Sequence, residues 1–230
     1  MIINNITNQY RWRIREVNKK KRVDWCQRHL HRTDEEWLRV VWTDESSYST
    51  KGFGHRPLVL RRADEEYHPD CIDEIWESGR KSQMVWGAFC RELKSELFFV
   101  KSGAKIDSES YTKEILDPLL FPFWHQACEH YGWTIVMEVG APGHKGVSKI
   151  CREMNNVESL GWVPQSPDLN LIEELWGDIE VELGEKYGYI SDINLVMKKV
   201  KEEWGYIPKS RLLSLVSTMR RRLERIIAVG

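Results

Sequence analysis

Several absences narrow the field before any motif is read. The 230-residue chain has five cysteines (Cys26, Cys71, Cys90, Cys128 and Cys151), an odd and widely spread set. No two stand at C-x-x-C spacing, which argues against both a disulfide framework and a zinc site. Such a set suits a reducing compartment. No apolar run approaches the roughly 18 residues that a membrane helix needs, and no signal-peptide pattern opens the chain. The expectation is a soluble, intracellular protein with no membrane partner and no small-molecule cofactor. Charge of one sign is missing too: 34 Lys and Arg face 35 Asp and Glu, for a net charge of -1. Bulk charge therefore does not announce a nucleic-acid partner, and any such contact has to come from local patches. Repeats and low-complexity tracts are also missing.

What is present is ordinary globular usage, 41% hydrophobic and 30% charged, enough for one sizeable core. The eleven tryptophans are a high count, and most should lie in that core. Residues 1–17 carry Arg11, Arg13 and Arg15 with little apolar periodicity and read as an arm. The basic run Lys19, Lys20, Lys21, Arg22 follows and leads into a helix over 22–31. This run could touch phosphates or serve as a nuclear address, or could simply be a solvated helix face. Thr33 and Glu36 have capping-box spacing.

Leu38–Thr43 is a near-continuous apolar run, the mark of a strand buried on both faces, and Asp44 is expected at its end, at the sheet edge. Further strands are expected over 57–62, 84–90, 96–101, 133–139 and 157–163, with residues 63–80 a surface insertion. A helix should start near Asp107 or Ser108 and run to about 130, with Pro118 inside it. Residues 140–144 form a turn into a helix of about ten residues. Two helices, near 190–204 and 208–227, close the chain, and Arg220, Arg221, Arg222 and Arg225 crowd the last. Basic residues there also suit the helix dipole. Several strands, then helix, strand, helix, strand and helix, argue for a three-layer α/β domain with a mixed sheet.

The segment WVPQSPDLNLIEELW, 162–176, organises the rest. Pro164 and Pro167 interrupt regular structure, and Asn170 with Glu173 three residues on makes a helix-start signature. Leu169, Ile172 and Trp176 then share a face, and Glu173 sits on the first turn. A carboxylate held so rigidly suits a metal ligand, or merely caps its helix.

Three segments, WTDESSYS (42–49), MEVGAPGH (137–144) and WVPQSPDLNLIEELW (162–176), together resemble the catalytic core of mariner-like transposases of the Tc/mariner superfamily. GRKSQMVWGAF (79–89), the helix bearing Tyr111, and the closing 207–226 support the likeness, which spans about 20–230. The resemblance implies an RNase H-like three-layer fold, with a mixed central sheet flanked by helices, and a triad of acids, DDE or DDD. It implies two Mg2+ or Mn2+ ions about 3.5–4 Å apart that activate the attacking oxygen and stabilise the leaving oxygen of a DNA phosphodiester. DNA is then the partner, a homodimer the assembly, and the nucleus the location. By position, Asp44 matches the first acid and Glu173 the third, as candidate catalytic residues and metal ligands. His144 matches a histidine of the motif's turn, a structural hydrogen-bonder.

The middle acid is missing. Val139 stands where the resemblance places it, with 33 residues between it and Glu173, one fewer than the usual spacing. An isopropyl side chain offers no ligand atom. Neighbouring Glu138 should face the opposite side of the sheet, as should Glu45 relative to Asp44. With about 40 residues before the first motif, no helix-turn-helix domain is expected, and hence no sequence-specific grip on transposon ends. The division expected is an N-terminal arm with a basic helix over 1–32 and a catalytic domain over 33–230. DNA contacts are expected from Lys19, Lys20, Lys21, Arg22, Arg220, Arg221 and Arg222. The function implied is metal-dependent strand cleavage and transfer, silenced by Val139. Two alternatives stay open: an active nuclease that recruits Glu138, and a non-enzymatic remnant that binds DNA or protein.

Overall fold

The computed structural model describes residues 14–50, 53, 81–100, 107–140 and 144–229. The expected strand at 57–62, the insertion at 63–80 and the turn residues Ala141–Gly143 lie outside them.

Helix α1 (Glu16–His29) and the single turn α2 (Asp34–Trp37) lead into strand β1 (Val40–Ser49). The start of α2 is built as its sequence spacing requires. Thr33 accepts from the Glu36 amide at 3.3 Å, and the Glu36 carboxylate accepts from the Thr33 amide at 2.7 Å. β2 (Ser82–Cys90) runs antiparallel to β1, with the short β3 (Leu93–Lys94) and β4 (Phe98–Phe99) on its far edge. β5 (Ile135–Met137) pairs parallel to β1 on the other side, so the sheet is mixed.

Between β4 and β5 the chain forms one long rod. It comprises α3 (Ser108–Tyr111), a π-helical stretch over Thr112–Leu120, and α4 (Phe121–Tyr131). Pro118 lies in the wide stretch rather than at a sharp kink. A ring without an N–H, which would clash with the carbonyl four residues back, is accommodated by opening the turn. α5 (Val147–Met154) follows β5. A 3-10 turn (Pro167–Leu169) then enters α6 (Leu171–Tyr187), and α7 (Ile193–Tyr206), α8 (Lys209–Val216) and α9 (Met219–Val229) complete the fold.

The two faces of the sheet follow the period of two. Val40, Trp42, Ile135 and Met137 lie in a cluster with α1, α2 and α6–α9. Val41, Val136, Trp86 and Ala88 lie in a second cluster with the rod over 108–131. A helical layer on each face gives the three-layer RNase H-like architecture. Seven of the nine described tryptophans are buried, and Trp133 is exposed.

Several expectations need correction. β1 does not stop at Thr43 but continues to Ser49, so Asp44 is mid-strand rather than at a strand end. Its later half, Glu45 to Ser49, is mostly polar but still pairs with β2 through Ser49↔Ser82. Residues 157–163 make one isolated parallel bridge, Val136↔Ser159, rather than a strand. The closing segment is two helices, α8 and α9, because the chain breaks at Ser217 and Thr218. Helix α1 buries Trp25 and Cys26 in the first cluster, so residues 16–29 pack with the domain across the boundary drawn at 32 and 33.

Candidate active site

Asp44 and Glu173 reach the same place from different layers. In β1, Asp44 shares the face of Val40 and Trp42, and its strand partner is Gly87. That glycine leaves room for the helix above. A Cβ there would lie 2.9 Å from both Leu97 Cδ2 and Trp176 Cη2. The Trp176 indole can therefore approach the β2 backbone closely at Gly87, the strand partner of Asp44.

Asn170, fully buried at the helix start, donates from Nδ2 to the Thr43 carbonyl at 3.5 Å and ties α6 to β1 one residue before Asp44. It is the N-cap residue, as its position in the sequence implies, but its side chain makes no cap and the Glu173 carboxylate does not fold back on it. Glu173 instead lies close enough to Asp44 for its charge to act on the Asp44 carboxyl. Burial, the Glu173 charge and then the Glu45 charge hold the Asp44 pKa well above the usual carboxylate range. A buried acid with an exposed acid beside it is a place where a divalent cation would relieve the repulsion.

The third position follows from register. β1 and β5 pair in parallel, Val40 with Ile135 and Trp42 with Met137. The pairing ends at Met137; the same register carried two residues further would set Val139 opposite Asp44, on the face of Ile135 and Met137. Val139 is half-buried and carries no oxygen donor.

Glu138 faces the other way and is committed there. It accepts from Tyr111 Oη at 2.9 Å and pairs with Arg152 Nη1 at 3.1 Å. Arg152 also donates to the His144 carbonyl. His144 Nδ1 donates to the Val139 carbonyl, so its Nε2 faces Glu45 Oε1, at 3.5 Å. That is an ion-pair distance, and Glu45 Oε1 has no hydrogen-bond partner among the described residues. Burial pulls the His144 pKa down, but Glu45 and then Glu138 outweigh it and raise it. The turn at position 139 is thus held by a polar network on the sheet's far side, formed by Glu138, Tyr111, Arg152, His144 and Glu45.

The donor set answers whether metals fit. Asp44 and Glu173 suit one oxygen-ligated cation, but a clamp around two ions lacks the third carboxylate. Among the described residues no group of three metal-ligating side chains occurs.

The basic residues divide. Lys20, Lys21 and Arg221 are exposed. Lys19 pairs with Glu16 and Arg220 with Glu224, both as helix-surface pairs. Arg222 donates to the Asp168 carbonyl at 2.7 Å and to Glu174 at 3.0 Å. Arg22, expected to meet DNA, is instead 5% exposed and bonded bidentately to Asp168, which corrects that assignment. A run of like charges on a helix cannot all face water, and one in four points inward.

No family model matches the chain. The Tc1 transposase of Caenorhabditis elegans is 29% identical over 216 residues, covering 93% of this chain and 76% of the relative. The Mos1 transposase catalytic domain, solved with raltegravir and Mg, superposes with a TM-score of 0.71 at 17% identity, covering 95% of this chain and 97% of that one. Over nearly its whole length the chain is similar to transposases of the Tc/mariner superfamily. A Mos1 mariner paired-end complex with Mn matches at a TM-score of 0.74 and 18% identity, over 99% of this chain and 67% of that one. No helix among the described residues is long and apolar enough to cross a membrane.

Proposed function

We propose that this mariner-like transposase catalytic domain binds DNA and a divalent cation, Mg2+ or Mn2+, but does not cleave as its sequence stands. One observation supports the reading: the Glu173 charge acts on the Asp44 carboxyl, and strand alternation carried two residues past the Trp42–Met137 pair would put Val139 on the Asp44 side. In a complete site a cation supplies charge for the attacking and leaving oxygens. Here Asp44 and Glu173 can hold such an ion from two sides only. Glu138 does not substitute, because its carboxylate already serves Tyr111 and Arg152.

The relatives' chemistry supports DNA as the partner: Mos1 is described in paired-end complexes, one of them with Mn. Lys19, Lys20, Lys21, Arg220 and Arg221 are the residues of the two basic helices offered for phosphate contacts, with Arg222 partly engaged inside the fold. A homodimer and a nuclear location go with this reading. So does a catalytic domain over 33–230, to which we add α1.

The test is to restore the missing oxygen. Val139→Asp should take up Mn2+ in calorimetry at least tenfold more tightly than the unaltered chain, and Asp44→Asn in that background should abolish the gain. Absence of uptake by Val139→Asp would refute the site. Mn2+-dependent nicking of duplex DNA by the unaltered chain, lost on Asp44→Ala, would refute the claim of inactivity.

A further inference from the structure

We propose that Arg22, together with Asn18, is a positioning device for Glu173: helix α1 holds the turn that sets the third acid. The proposal rests on the metal-site reading above for its consequence, but not for its geometry.

The turn over 164–170 is improbable by itself. Gln165 sits at φ +56°, in the left-handed region that L residues other than Asn and Asp rarely enter. It is flanked by Pro164 and Pro167, and Pro167 lacks an amide hydrogen to bond across the turn. One face of α1 supplies what the turn cannot. Asn18 and Arg22 are one helical turn apart. Asn18 Nδ2 donates to Gln165 Oε1 at 2.7 Å, and Arg22 Nη1 donates to the Gln165 carbonyl at 2.8 Å. The same guanidinium grips Asp168 with both prongs, at 2.7 and 2.6 Å. A bidentate fork fixes orientation as well as distance.

Asp168 lies in the 3-10 turn that passes directly into Asn170 and α6, and the Glu173 amide bonds the Asn170 carbonyl at 3.2 Å. From the other side Arg222 of α9 holds the Asp168 carbonyl and Glu174. The third acid thus hangs from a turn whose conformation is imposed from α1 and α9, and Arg22 is the buried member of that pair.

Two measurements separate positioning from plain stability. In the unaltered chain, Arg22→Leu should lower hydrogen-exchange protection of the Leu169, Asn170 and Glu173 amides at least tenfold, while Ile179 and Leu183 further along α6 keep theirs. Val200→Ala, in the core of α7, serves as the control for general destabilisation. Unchanged protection in the turn, or a uniform loss matching Val200→Ala, overturns the proposal.

In the Val139→Asp background, Arg22→Leu should weaken Mn2+ binding about 10–100-fold, the scale for losing a group that orients a ligand. Arg22→Lys, which keeps charge but not the fork, should recover only part of it. Equal affinity with and without Arg22 overturns the proposal. If Val139→Asp takes up no Mn2+ at all, the metal-site reading fails while the exchange experiment still decides the role of Arg22.

Discussion

Adjacent residues on a strand face opposite ways, and that parity separates the two chemistries here. Asp44 and Val139 belong to the face under α6, whereas Glu45 and Glu138 belong to the face under α3 and α5. Glu138 therefore cannot turn to the Asp44 side without re-registering the strand. This much was readable from alternation alone. The destination of Arg22 was not, because Lys19, Lys20, Lys21 and Arg22 look alike in the sequence and only the Asp168 partner, 146 positions away, separates one from the rest.

His29 is a second residue whose behaviour depends on packing. Its ring lies 4.3 Å from that of Trp25, and its Nδ1 accepts from Arg32 Nε at 3.1 Å. Burial, then Arg32, Arg28 and His31, lower its pKa from 6.5 to about 4. A depressed histidine favours the folded state above its unfolded pKa, and that contribution is lost as pH falls from 6.5 towards 4. Denaturant titrations should show that His29→Gln flattens the acid-side loss of stability in this window. An identical pH profile in the variant would contradict this.

Among the elements, the contact of β2 with α6 has the least slack. Gly87 lies opposite Asp44, and an added methyl group would meet the rigid Trp176 ring and Leu97 at 2.9 Å. Gly87→Ala should destabilise the domain by about 1–3 kcal/mol, measured by urea unfolding, and in the Val139→Asp background should also weaken cation uptake. A neutral effect would mean that α6 is not seated as described.

Element types were mostly legible because their signals are local: the apolar run of β1, the capping box of α2 and the Asp107 cap that opens the long rod. Their limits were less so. Strand β1 runs past its apolar stretch because its polar end pairs with β2, and 157–163 fails as a strand because it meets β5 through one bridge only. Both outcomes depend on what lies alongside, and no window of sequence contains it.

At the scale of the whole molecule, a net charge of -1 gives no general attraction to DNA, so binding must be local and salt-sensitive. If the exposed Lys20 and Lys21 contact phosphates, Lys20→Ala with Lys21→Ala should reduce the slope of log affinity against log salt by about 2 on duplex DNA. Arg22 bonds inside the fold, so its replacement should not change that slope beyond its effect on folding. Equal slopes for the doubly substituted and unaltered chains would remove α1 from the DNA surface.

The order of elements and the alternation that divides the sheet's faces were written into the chain, because each depends on near neighbours or on spacing along it. Tertiary structure alone decided which of four adjacent cations turns inward, where Glu138 spends its charge, and that a glycine on β2 admits the indole that seats α6. Those outcomes are pairings between residues far apart in sequence, and pairing energy exists only once the backbone has brought the partners together.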